Sequence, residues 1–210
     1  MTSPIPVPDP AAVPDLDIDV VIESPPWRKA VKGPVALCER AARAALEGGL
    51  AGSPLAAMLA TQPVVELCIA LEDDASVHAL NRDFRGQDKP TNVLSFAALE
   101  GEDGRVLPPV VDGDPLDPDP EPEMLGDVIV AFETTRDEAA RDGKALADHL
   151  SHLVVHGVLH LLGYDHQDDD EAEAMEGLET RILAGLGIAD PHAPDRDPGT
   201  GDDERRPDTE

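Results

Sequence analysis

His156, His160 and His166 are spaced by four and then by six residues, and imidazole nitrogens at such intervals can meet on a single metal ion. Residues four apart on a helix lie one above the other on the same face. The first two side chains therefore point the same way. Gly163 falls where that helix should stop, because glycine accepts the left-handed conformation that closes helices. The chain can then turn back and deliver His166. Three nitrogen ligands with a fourth position left open describe a catalytic zinc site rather than a closed structural one, with one zinc expected per chain. The plainer alternative is three ordinary helix histidines, but chance does not readily combine this spacing with a glycine at the turn.

The order H-x-x-x-H-x-x-G-x-x-H is that of the metzincin proteases, which carry glutamate directly after the first histidine as general base. Here that position is Gly157. A peptidase built this way lacks its base, so the metal is expected to serve other chemistry or none. The second group of interest is Asn81-Arg82-Asp83-Phe84-Arg85-Gly86-Gln87-Asp88-Lys89-Pro90-Thr91. Arg82, Arg85 and Lys89 form a local basic cluster, and guanidinium groups offer phosphate a planar fork of donors. Basic residues answering the dipole of a helix end are the equally weighted alternative. Asp165 can orient a neighbouring histidine ligand, and Asp127 can face the same site, although a turn residue and a structural pair are their simpler roles. His149 and His152 share a helical face with His156 and are candidates for supporting the metal ligands or touching RNA, with surface or core packing the preferred reading. His78 and His192 carry no signal. Trp27 and Tyr164 are the only indole and phenol groups, which leaves no evident platform for stacking bases.

Sixteen basic residues against 44 acidic ones give the 210-residue chain a net charge of -28. That excludes a generally basic nucleic-acid binder, though not a local basic patch. Cys38 and Cys68 form no C-x-x-C and read as buried, reduced thiols. No signal peptide is apparent at Met1–Pro8, and no apolar run approaches the length needed to span a bilayer. A soluble, cytoplasmic protein is expected.

The elements that must position these groups can be read from patterning. Leu16–Val20 alternates apolar and acidic residues, as a half-buried strand does. Pro34 opens a helix through Leu46 that Gly48-Gly49 should close, with its alanine-rich face on a sheet. Further strands are expected at 64–71, 93–96 and 125–132. Asp73 or Asp74 should cap a helix running to about Asp83. Helices are expected over roughly 134–142, 145–162 and 169–186, the last with Asp168–Glu171 as its acidic start. Residues 1–14 are rich in proline and should be disordered. Residues 100–123 hold nine acidic residues, one basic residue and six prolines, which suggests an acidic loop insertion in a single catalytic domain spanning 15–189. Residues 190–210 read as a disordered acidic tail. Strands and helices mix without strict alternation, so the class expected is α+β, a mixed sheet packed with helices.

Taken together, N-R-D-F-R-G-Q-D-K-P-T-N-V-L-S-F, L-G-D-V-I-V and H-L-V-V-H-G-V-L-H-L-L-G-Y-D-H resemble the YbeY family of bacterial metal-dependent endoribonucleases, over roughly residues 64–187 without the acidic insertion. The resemblance implies a zincin-like fold whose H-x-x-x-H helix carries the zinc. It implies a single-strand endoribonuclease of the cytoplasm that acts in rRNA maturation, at the 3′ end of 16S rRNA, and in ribosome quality control. Ribosomal RNA and the small ribosomal subunit are the implied partners, with neither DNA nor membrane. By motif position His156, His160 and His166 match the zinc ligands, and Arg85 matches the arginine implicated in cleavage. Two departures stand out: Asn92 occupies a place where Asp is usual, and the acidic insertion is long. The alternatives are a non-catalytic, zinc-containing ribosome assembly factor and a zinc-dependent peptide or amide hydrolase.

Overall fold

A computed structural model describes residues 14–101, 105, 106, 108, 122–165 and 168–193. Four strands build one mixed sheet: β1 (Asp15–Ile22), β2 (Val64–Glu72), β3 (Val93–Ala97) and β4 (Glu123–Ala131). Their spatial order is β1-β2-β4-β3. β1 runs parallel to β2 and β2 parallel to β4, while β3 is antiparallel to β4. The class is therefore α+β with a mixed sheet, as the patterning implied.

Seven α-helices accompany the strands among the described residues: α1 (Pro26–Ala30), α2 (Pro34–Gly49), α3 (Ala56–Leu59), α4 (Asp74–Arg85), α5 (Phe132–Arg141), α6 (Leu146–Leu161) and α7 (Asp169–Gly185). None of them is long and apolar enough to cross a membrane. Strand alternation sets the two faces of the sheet. Leu67, Ile69, Val128 and Val130 point inward and are fully or almost fully buried. They meet Leu46 of α2, Leu159 of α6 and Leu183 of α7 in one core cluster. α4 covers part of the other face, where Val77 packs with Leu94 and Ala131. Cys38 sits in the main core, where burial pushes its thiol up to about 12. Cys68 belongs to the opposite face and is only half-buried; both thiols are free.

Capping follows the sequence closely. Asp73 ends the extended chain and accepts from the Ser76 N–H at 2.9 Å at the start of α4. Asp168 does the same for α7 through Glu171 N–H at 2.9 Å. α2 departs from expectation, because Gly48 and Gly49 lie inside it and do not close it. A Cβ at Gly48 would stand 2.7 Å from Ile182 Cγ1, and one at Gly49 2.7 Å from Leu159 Cδ2. These glycines let α6 and α7 approach α2 rather than terminating it. The face expected to lie on the sheet is consequently shared, with α6 as its principal neighbour and β1 as a lesser one.

The ends of the 100–123 segment are part of the fold. Glu100 bridges Val106 in antiparallel fashion, Gly101 N–H donates to Arg105 C=O at 2.8 Å, and Glu123 already belongs to β4. The middle of that segment, the N-terminal residues 1–13 and the tail beyond residue 193 lie outside the described residues.

Candidate metal centre

α6 is buried on most of its circumference, held between the sheet, α2, α5 and α7. Its last two turns carry His156 and His160, whose Nε2 atoms converge to 3.1 Å. Their Nδ1 atoms are engaged elsewhere. His156 Nδ1 lies 2.7 Å from Glu179 Oε1, and His160 Nδ1 lies 3.0 Å from the Tyr164 carbonyl. A carbonyl can only accept, so His160 Nδ1 carries the proton. Glu179 is 1% exposed. Burial alone would raise its carboxyl, but hydrogen bonds from His152 and His156 outweigh it and hold the group well below the usual carboxylate range. It too accepts, and His156 Nδ1 donates. With the Nδ1 protons so committed, both Nε2 atoms can present lone pairs to the same point. Two such lone pairs repel each other unless a cation lies between them. Imidazole nitrogens about 2.0–2.1 Å from a tetrahedral zinc are about 3.3 Å apart, close to the separation found here. The donor set fits a divalent metal, and the outer partners are of the kind that fix a ligand's tautomer and orientation.

The chain then turns at Gly163, whose φ of 88° is the left-handed conformation expected there. Three contacts hold that turn. Ser53 Oγ donates to the Leu162 carbonyl at 2.6 Å, Tyr164 Oη donates to the Gly49 carbonyl at 2.6 Å, and the Gly163 backbone packs on Pro54. His166, the third ligand read from spacing, lies outside the described residues. Asp165 lines the cleft beside His156 and His160.

That cleft has a volume of about 790 Å³ and also takes in Arg85, Lys89, Ser95 and Glu100. α4 ends at Arg85, and Gly86 with φ 66° turns the chain away. Buried Asn81 ties the loop beyond it through Nδ2 to the Lys89 carbonyl at 2.8 Å. Arg85 Nη2 donates to the Ser95 carbonyl at 2.6 Å, its guanidinium lies 5.6 Å from the Phe96 ring centroid, and Glu100 stands 4.0 Å away. The basic cluster is thus divided: Arg85 and Lys89 line the cleft, whereas Arg82 turns to Asp83 at 2.8 Å.

Gly157 has a packing role. A Cβ there would stand 2.5 Å from Val128 Cγ1 and 3.1 Å from Ser95 Oγ. The position that holds a base in metzincins is here pressed onto the sheet. Asp127 points to the exposed face and pairs with Cys68, whose thiol is raised by burial and then by Asp127 and Asp19. It does not join the site. Asn92 donates to Glu138 Oε2 at 2.9 Å, and His149 Nε2 lies 2.9 Å from the same oxygen. An aspartate at 92 would set two carboxylates together, so the amide suits its surroundings.

Two members of the hydrogen-bond network around His156, and one exposed ring beside Arg85, escaped the sequence reading. Glu179 lies on the buried stripe Met175, Leu178, Glu179, Ile182 and Leu183 of α7; a carboxylate at i+4 in an apolar helical stripe was the signal. His192, which has no motif around it, lies 2.7 Å from Glu179 Oε2. Phe84 is 70% exposed and meets Phe96 edge-on at 5.6 Å. Trp27, by contrast, is fully buried with Nε1 on the Glu72 carbonyl at 3.1 Å.

Comparison with known proteins identifies a matching family and several relatives. The family described as Endoribonuclease YbeY matches residues 48–187. That match begins ahead of the strand at Val64 and takes in the residues that hold the Gly163 turn. An endoribonuclease YbeY of Paramagnetospirillum magneticum is 54% identical over 177 residues, covering 84% of this chain and 96% of that protein. One from Rhodospirillum rubrum is 54% identical over 173 residues, covering 82% of this chain and 80% of that protein. Among solved structures, the solution structure of TM1509 from Thermotoga maritima aligns with a TM-score of 0.42 at 20% identity, covering 85% of this chain and 100% of that one.

Proposed function

Since the chain belongs to the YbeY family of endoribonucleases, we propose that it is a zinc-dependent, single-strand endoribonuclease of the cytoplasm. In this reading it matures ribosomal RNA at the 3′ end of 16S rRNA, serves ribosome quality control, and meets its substrate on the small ribosomal subunit. His156, His160 and His166 hold one zinc, and residues 15–189 form a single catalytic domain. The observation that carries the reading is the pair of Nε2 atoms 3.1 Å apart with both Nδ1 atoms committed to acceptors, in a cleft shared with Arg85.

Zinc bound there supplies Lewis acidity toward a phosphoryl oxygen and makes water acidic enough to ionise near neutral pH. The chain's own residues do the rest. Glu179 and the Tyr164 carbonyl keep the two rings in one tautomer and one orientation. Arg85, steadied by Ser95 and Phe96, presents its free N–H groups to a phosphate and stabilises the negative charge that builds there. Gly157 leaves no side chain in the base position of a metzincin, which argues against the peptide or amide hydrolase.

The test is cleavage of a short single-stranded RNA by chelator-stripped and zinc-restored protein, with nuclease contamination excluded. Stripping should abolish cleavage, and one equivalent of zinc should restore it. A His156→Ala/His160→Ala double variant should lose activity and the tightly bound zinc. Full metal retention in that variant, or unchanged cleavage by the stripped protein, overturns the assignment. Ribosome binding with no cleavage by zinc-loaded protein would instead mark an assembly factor.

A further inference from the structure

Glu179 serves more than His156. Its Oε1 is occupied by His156 Nδ1 at 2.7 Å, but its Oε2 faces two other imidazoles, His152 Nε2 at 3.2 Å and His192 Nε2 at 2.7 Å. His152 lies on α6 one turn before His156, and His192 comes from the turn that follows α7. That turn is built to deliver the ring. Asp190 Oδ1 accepts from Thr180 Oγ1 at 3.0 Å and from His192 N–H at 2.9 Å, and Lys144 Nζ donates to the Pro191 carbonyl at 3.0 Å.

We propose that His152 Nε2, Glu179 Oε2 and His192 Nε2 form a second binding site for a divalent transition-metal ion, next to the site of His156 and His160. One donor atom from each residue can be chosen so that all three lie within 4.8 Å of one another. An ion about 2.0–2.1 Å from each needs them about 3.3 Å apart, so the site closes on an ion by moving side chains up to about 1.5 Å. Two imidazoles and one carboxylate make a set that zinc accepts with a further position open to water. Nickel and copper are competitors on the same nitrogens. The site is half sheltered. Glu179 is buried, while the His192 side chain is 30% exposed and gives the ion its way in from solvent. With three protein ligands, one of them on a surface turn, it binds more weakly than the histidine triad.

The shared carboxylate has a consequence, which rests on the zinc reading above. An ion on Oε2 withdraws negative charge from Oε1, weakens the hydrogen bond to His156 Nδ1, and makes that imidazole a poorer donor to the catalytic zinc. Excess zinc therefore loosens the ion it should have reinforced.

The test is competition for Zn²⁺ between the full-length, metal-stripped chain and a chromophoric chelator, with total zinc checked by elemental analysis. Two classes of one ion each are expected, the second weaker. His192→Ala should remove the weaker class and keep the tighter one, with an unchanged circular dichroism spectrum. The His156→Ala/His160→Ala variant should keep the weaker class. Loss of the tight class from the wild-type chain would count against the triad alone. A single class in wild type that is unaltered by His192→Ala, or two classes that both survive that substitution, overturns the second site.

Discussion

Arg85 and Phe84 are consecutive on α4 and face different tasks. Arg85 reaches the cleft of His156 and His160, whereas Phe84 stands 70% exposed beside it against Phe96. Arg85→Ala should leave folding and zinc content intact, since the side chain is 42% exposed, and should slow cleavage by on the order of a hundredfold or more, the usual cost of losing one charge-stabilising donor. Initial rates with metal-replete protein check this, and unchanged rates would remove Arg85 from the chemistry. Phe84→Ala should act on binding. A base stacked on an exposed ring contributes about 1–3 kcal/mol, so KM for single-stranded RNA should rise roughly five- to a hundredfold with kcat little altered. A fall in kcat at constant KM would contradict a stacking role. The convergence of His156 and His160 could be read from sequence because a spacing of four is a local property of a helix. The exposure of Phe84 could not, because it is a property of the fold.

At the scale of elements, what could be read were the caps, the strand alternation and the helix periods, all set within a few residues. What could not be read were the contacts that bring elements together. Gly48 and Gly49 look like a helix stop in sequence and Gly157 like a vacant base position, yet each makes room for a neighbouring element. The tie from Tyr164 Oη to the Gly49 carbonyl spans 115 residues, beyond any local pattern. Asp73 offers a test of a feature that was legible. Removing an N-cap costs about 1 kcal/mol, so Asp73→Ala should lower the thermal midpoint by a few degrees at neutral pH. The Ser76 N–H holds the Asp73 carboxyl below its ordinary value. The bond's contribution is therefore complete above the ordinary carboxylate range and fades as pH falls through the lowered folded-state value. Melting curves of wild type and Asp73→Ala should converge under strongly acidic conditions, and a constant gap would refute the cap.

For the whole molecule, a net charge of -28 opposes the approach of RNA. Glu100, Arg105 and Val106 place the start of the acidic segment on the rim of the cleft. Residues 107–121 add five acidic groups and no basic one. Their exchange for a short Gly/Ser linker spares the Glu100–Val106 bridge and β4, and closing a loop of altered length changes stability little. The thermal midpoint should hold within a few degrees. Cleavage of free RNA should rise most at about 0.01 M salt and least at about 0.1 M, where the Debye length has shrunk from about 30 to about 10 Å. A gain independent of salt would refute the electrostatic barrier, and a protein that fails to fold would show the segment to be structural.

Time of synthesis enters through Glu179. The ring of His156 is held by a carboxylate that lies 23 residues further along the chain. A chain emerging at about 5–20 residues per second carries His156 for roughly one to five seconds before that carboxylate exists, and longer before α7 docks. The Gly49 carbonyl, made far earlier, waits through 115 residues, roughly 6 to 23 seconds at that rate, for Tyr164. In the proposed function, the grip on the metal therefore stays incomplete until α7 has been synthesised and has docked.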